Sequence, residues 1–176
     1  MGGLAFSIVL LCTISPSHML LTAARDVLVA GQAITGNLTL VSAGGIFALG
    51  FFCPGSESLG RKNRYVGIWY NKIPKMTVVW VANREQPVTD SAAFLTVTED
   101  RNIAVVDSNG STIWSTDVAG VRSGAAAMLL DSGNLVLRQG NGQDVWQSFD
   151  DPTDTILPEM KIRYNEKTSK SSDVKS

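Results

Sequence analysis

The chemistry open to this 176-residue chain is narrow. Its one histidine, His18, lies in an apolar N-terminal run. With that run set aside, no imidazole remains to pair with a nucleophile, shuttle a proton or ligate zinc. Two carboxylate pairs, Asp100 with Asp107 and Asp150 with Asp154, are the remaining candidates for hydrolytic acid–base work. The clustered Asp150, Asp151 and Asp154 could at most hold a cation weakly, and otherwise read as loop residues, as do Asn83, Arg84 and Glu85. There is no Gly-rich nucleotide loop, no His-Arg-Asp loop and no Asp-Phe-Gly, which excludes kinase chemistry for this chain. No catalytic residue, metal ligand or cofactor is therefore assigned. Of the aromatic pair Trp69 and Tyr70, one must point outward if the segment is a strand, and an exposed ring can stack on a sugar face or a partner protein.

The elements that would position such groups are legible as a repeat. Trp80, Trp114 and Trp146 recur at near-equal spacing. Residues 102–114 (NIAVVDSNGSTIW) superpose on residues 134–146 (NLVLRQGNGQDVW) at the Asn, the apolar run, the Asn-Gly pair and the final Trp. A unit this short cannot bury an indole alone, so several copies must pool their tryptophans in one core. Alternation of apolar residues over Gly45, Phe47, Leu49 and Phe51 marks a strand with a core face. YVGIWY (65–70) and MTVVWVA (76–82) form a hairpin across residues 71–75, and residues 93–97 begin the next unit. Residues 102–107 pair with 111–115 across Asn109-Gly110, and residues 129–138 pair with 144–148 across Asn141-Gly142. Each Asn-Gly pair is expected to form a type I′ turn with positive φ at both residues. Three hairpin units result, each ending in a tryptophan strand; the fold class is all-β.

Composition agrees. Glycine is abundant at 16 residues, and the net charge is −1 with both signs mixed, so no basic footprint for nucleic acid exists. Residues 1–24 read as a signal peptide: residues 4–14 are nearly all apolar, Pro16 breaks the run, and Thr22-Ala23-Ala24 supplies small residues for cleavage. A buried first strand is the alternative, since residues 1–6 carry no Lys or Arg. No stretch approaches the ~20 apolar residues of a membrane helix. Cleavage would leave Cys53 as the sole thiol, expected to be partly buried at a strand end. Asn37-Leu38-Thr39 and Asn109-Gly110-Ser111 are N-glycosylation sequons compatible with secretion. Residues 25–157 form the domain, residues 56–63 an exposed loop, and residues 158–176, rich in Lys and Ser, a disordered tail.

Residues 26–52 (DVLVAGQAITGNLTLVSAGGIFALGFF), YVGIWYNKIPKMTVVWVANREQPV, LLDSGNLVL and VWQSFDDPTDTILPEMK closely resemble the bulb-type lectin domain of plant S-locus-type (G-type lectin) receptor-like kinases. The resemblance implies a β-prism II fold: three four-stranded antiparallel sheets about a pseudo-threefold axis with tryptophans at the centre. It also implies an extracellular, secreted setting, with full-length relatives at the plasma membrane. In bulb lectins mannose is held by Gln-x-Asp-x-Asn-x-Val-x-Tyr, whose alternate residues share one strand face and meet sugar hydroxyls with both donors and acceptors.

Here Thr98, Asp100, Asn102, Ala104 and Val106 take the five places, so only Asp and Asn match. Losing two contacts at roughly 0.5–1.5 kcal/mol each weakens a shallow site about five- to a hundred-fold, so mannose binding is expected to be weak or lost. The alternative role for Asn102 and the equivalent Asn134 is to satisfy backbone groups at a strand start. The third unit, with Leu130, Ser132, Asn134, Val136 and Arg138, has departed further; Asp131 is acidic but out of phase.

Two functions are expected from this reading: a carbohydrate-recognition module with Thr98, Asp100, Asn102 and Val106 as its degenerate site, or a module that pairs with receptor-like kinase ectodomains or with itself, including as a soluble decoy. The chain reads as a truncated receptor ectodomain, either a secreted short form or the product of an incomplete gene model, with the S-locus glycoprotein, transmembrane and kinase regions absent.

Overall fold

Three apolar side chains spaced six residues apart, Leu28, Ile34 and Leu40, are each 4 % exposed or less, and each belongs to a different sheet. In the computed structural model, which describes residues 25–54, 63–160 and the backbone of 164–165 and 170–171, the short strands β1 (Val27–Val29), β2 (Ala33–Thr35) and β3 (Thr39–Val41) carry them. Gly31 and Gly36, at φ of 81° and 56°, turn the chain between these strands. Each short strand then adds to three consecutive strands from further along. The first sheet is β3 with β4 (Phe47–Phe52), β5 (Tyr65–Tyr70) and β6 (Val78–Val81). The second is β2 with β7 (Phe94–Val97), β8 (Ile103–Val106) and β9 (Thr112–Ser115). The third is β1 with β10 (Ala126–Leu129), β11 (Leu135–Arg138) and β12 (Asp144–Gln147). All nine pairings are antiparallel. The fold is thus all-β with three four-stranded sheets, as expected.

Register explains the core. Directly paired residues share a face, and one row in each sheet leads from the N-terminal strand to a tryptophan. These rows are Leu40, Leu49, Ile68 and Trp80; Ile34, Leu95, Val105 and Trp114; and Leu28, Ala127, Leu137 and Trp146. The three indoles meet edge to face in a triangle, with ring centroids 5.8, 5.9 and 6.0 Å apart. That arrangement suits the aromatic quadrupole and closes the three sheets on one another. Trp80 also donates from Nε1 to the carbonyl of Asp151, 3.0 Å away.

Several local expectations are corrected. Residues 129–138 are not one strand: β10 and β11 are separated by a turn at 130–134, where Gly133 adopts φ of 87°. The Asn-Gly turns are not type I′, because only Gly110 and Gly142 have positive φ. Gly110 donates its N–H to Asp107 while Asp107 donates to Ser111, giving a three-residue loop with a glycine bulge. The Asp107 carboxylate accepts from the N–H groups of Asn109 and Ser111, which favours this wider turn. Cys53 is exposed and free, because β4 ends at Phe52 and leaves the thiol beyond the ladder. Asn37 and Asn109 are exposed on turns.

The proposed signal peptide, Cys12 and His18 lie outside the described residues, as does most of the loop at 56–63. Leu157, the last residue of the expected domain, is buried in the core; of the tail, Met160 packs against that core and Tyr164–Asn165 pairs with Lys170–Ser171, while most of the rest lies outside the described residues. No helix among the described residues is long and apolar enough to cross a membrane.

Candidate functional site

Thr98, Asp100 and Asn102 do come together, but in the turn joining β7 to β8 and not along a strand. Thr98 donates its N–H to Asn102 and accepts from that of Arg101, which takes φ of 69°. This turn repeats at 130–134, with Gly133 in the position of Arg101. Inside it the polar groups satisfy one another. The Thr98 hydroxyl and the Asn102 amide, 3.1 Å away, donate to the two oxygens of Asp100. Those donors, Thr98 first, hold the Asp100 carboxyl below the usual carboxylate range.

Asn102 itself is 5 % exposed and its amide is fully engaged. Oδ1 accepts from the Thr116 hydroxyl at 2.7 Å and the Val118 N–H at 2.8 Å; Nδ2 donates to Asp100 and to the Val118 carbonyl at 3.2 Å. An amide has two donors and two acceptor sites, so none is left for a ligand. Ala104 and Val106, the remaining places, are buried on the outer face of the second sheet. Only Asp100 remains exposed with capacity to accept further hydrogen bonds.

The equivalent groups in the other units also hold structure. Asn134 accepts from the Ser148 hydroxyl and the Phe149 N–H, both at 3.2 Å, matching what Asn102 does with Thr116 and Val118. Val136 is buried, and Arg138 forms a two-pronged ion pair with Asp144 at 2.6 and 3.0 Å. Asp131 lies in the turn before β11 and accepts the Gly44 N–H at 2.7 Å, tying the third unit to the first. Asp100 and Asp107 flank opposite ends of β8, and each is engaged in its own turn, so the carboxylate pair considered from the sequence is not assembled. Asp150 accepts from Gln147 while Asp154 pairs with Arg84, so that second pair is engaged separately as well. No group of three or more His, Cys, Asp or Glu among the described residues is arranged to hold a metal ion.

Of Trp69 and Tyr70 one does point outward, as the strand reading requires, but the outward ring is not exposed. Tyr70 packs inward on Phe47, with ring centroids 4.7 Å apart. Trp69 points to the outer face but is only 9 % exposed, its ring lying over Gly50. The outward rings on that sheet are instead Phe52 and Tyr65, partners in the β4–β5 ladder. They line a groove of about 440 Å³ together with Val78, Val81, Arg84 and Asp154. The sequence signal for this groove was the pairing of two aromatics next to Gly67, which only the β4–β5 register makes visible.

Residues 77–176 match a family described as D-mannose binding lectin. The chain belongs to this family. Among similar proteins of Arabidopsis thaliana, Receptor-like serine/threonine-protein kinase SD1-8 is 48% identical over 141 residues, which cover 77% of this chain and 16% of that protein. G-type lectin S-receptor-like serine/threonine-protein kinase SRK is 46% identical over 139 residues, with 76% and 16% covered. The lectin domain therefore spans about one sixth of the length of these kinases. Among solved structures, a monomeric monocot mannose-binding lectin from Gastrodia elata superposes with a TM-score of 0.53 at 16% identity, over 70% of this chain and 96% of that one. A Marasmius oreades lectin gives 0.52 at 20% identity, over 70% and 90%. These likenesses establish the β-prism II lectin fold of the domain.

Proposed function

We propose that this lectin domain is an extracellular carbohydrate-recognition module of a receptor-like protein, with a degenerate mannose site at Thr98, Asp100, Asn102 and Val106. The observation that supports recognition of sugar is the family match over residues 77–176 on an intact three-sheet scaffold. The saturated Asn102 amide supports the degeneracy. A free monosaccharide would have to displace internal hydrogen bonds that already satisfy each buried group, which costs about as much as it returns. The module is exported through its signal peptide and glycosylated at Asn37 and Asn109, whose exposure leaves both amides accessible. A glycan array tests the reading: weak or absent signal for mannose and retained binding of extended glycans is the expected result. A blank array would remove it.

The closed Thr98–Asn102 turn also favours a second reading, in which the domain binds no sugar and pairs with receptor-like kinase ectodomains or with itself. Size-exclusion chromatography and pull-down with a receptor ectodomain decide this one. A strict monomer that captures nothing argues against it.

A further inference from the structure

We infer that the groove on the outer face of the first sheet is a second saccharide site, distinct from the Thr98–Asn102 turn, and that it takes the flat C–H face of a β-linked, gluco-configured pyranose. The inference rests on the carbohydrate reading above and deepens it. Its floor is built by the ladder. Phe52 lies over Gly67, where an added Cβ would come within 2.6 Å of the phenyl ring, so the half-buried ring is laid against the backbone of β5. Tyr65 sits beside it, with ring centroids 5.9 Å apart and planes tilted by 35°. Val78 and Val81 extend this apolar surface. The rim is polar. Arg84 donates from Nη1 to the Thr153 carbonyl at 2.8 Å and to Asp154 Oδ1 at 3.2 Å, and both side chains keep roughly a quarter to a third of their surface exposed. Those bonds use Nη1 and Oδ1, so Nε, Nη2 and Oδ2 retain hydrogen-bonding capacity beside the groove.

This combination fits one ligand class better than others. Aromatic faces beside a guanidinium–carboxylate pair match a ring whose one side is C–H and whose edge carries adjacent hydroxyls that both donate and accept. Equatorial hydroxyls leave a pyranose face apolar, as in β-glucose, whereas the axial 2-hydroxyl of mannose interrupts it. The volume suits a small ligand. Addition of an extended peptide to β6 is disfavoured, because Thr153 and Thr155 already bond its outer edge through Val81 and Val79.

The test is calorimetric titration of the full chain with a β-1,4-linked glucose tetrasaccharide and, separately, an α-linked mannose trisaccharide. The expected result is that the glucose saccharide binds, that Tyr65→Ala weakens it at least ten-fold and Asp154→Asn several-fold, and that Asp100→Ala leaves it unchanged, all with a melting temperature near wild type. A Tyr65→Ala variant that is folded and binds like wild type overturns the groove. Binding of the mannose saccharide alone, lost in Asp100→Ala, overturns the groove and leaves the carbohydrate reading standing. Binding of neither here, on top of a blank array, removes both; capture of a proline-rich peptide with no saccharide bound overturns the inference in favour of a protein partner.

Discussion

Asn102 has the residue type of a sugar ligand and the environment of a structural clamp. Three of its four hydrogen bonds join the β7–β8 turn to residues 116–118, and its repeat-mate Asn134 does the same for residues 148–149. Removing the buried amide leaves the half-buried N–H and carbonyl of Val118 without their partner, so Asn102→Ala is expected to lower stability by about 1–3 kcal/mol in urea denaturation. Asp100→Ala, at an exposed position, should cost less than about 1 kcal/mol. That smaller cost carries a pH signature. The Asp100 carboxyl is held below its ordinary range by Thr98 and then Asn102. Its contribution is therefore complete above the unfolded carboxylate range and fades as pH falls through the depressed folded value. The gap between wild type and Asp100→Ala should be present at neutral pH and close in acid; a gap that widens in acid would contradict the assignment. The sequence supplied the residue types of this site and the possibility that Asn102 serves backbone groups. It hid the saturation, because Thr116 and Val118 come from a neighbouring loop whose return depends on the whole sheet.

At the scale of elements, the turn before β8 in the second unit and the turn before β11 in the third are one design filled with different residues. Gly133 and Arg101 occupy the same left-handed position, at φ of 87° and 69°. Arginine pays a steric cost there that glycine does not, so Arg101→Gly should stabilise the domain by about 0.5–1 kcal/mol after the unfolded chain's added freedom is counted. Gly133→Ala should do the opposite and by more. The new Cβ would meet Phe47 and Leu157 at 3.0 Å as well as the unfavourable backbone. Thermal melts of the two variants moving in the same direction would refute the shared-turn description. These turns were only partly legible. Asn-Gly marked where two hairpins reverse, but both loops are three residues wide, closed between Asp107 and Ser111 and between Gln139 and Gln143, which a dipeptide rule does not see. The tryptophan strands were readable because their spacing repeats. The N-terminal strands escaped notice because each is only three residues long, with one buried residue apiece, and their six-residue spacing acquires meaning only when three separate sheets are there to receive them.

Across the whole molecule, that N-terminal segment and the indole triangle are two ends of the same three rows. Leu28, Ile34 and Leu40 close the rows at one edge, and Trp146, Trp114 and Trp80 close them at the centre. No sheet holds its full complement of strands without residues 27–41, and no indole has its two aromatic neighbours without the other two sheets. The sheets should consequently unfold together although each is a separate hydrogen-bonded unit. Ile34→Ala probes this coupling, since it trims a fully packed row at a residue far along the chain from the tryptophan it serves. The expected loss is about 2–4 kcal/mol, the ordinary cost of a large-to-small change in a packed core. Tryptophan fluorescence, which reports the centre, and far-UV circular dichroism, which reports all three ladders, should shift by the same amount and remain coincident. A variant in which part of the dichroism is lost before the fluorescence changes would mean that the second sheet melts alone, and that the rows do not bind the three sheets into one cooperative body.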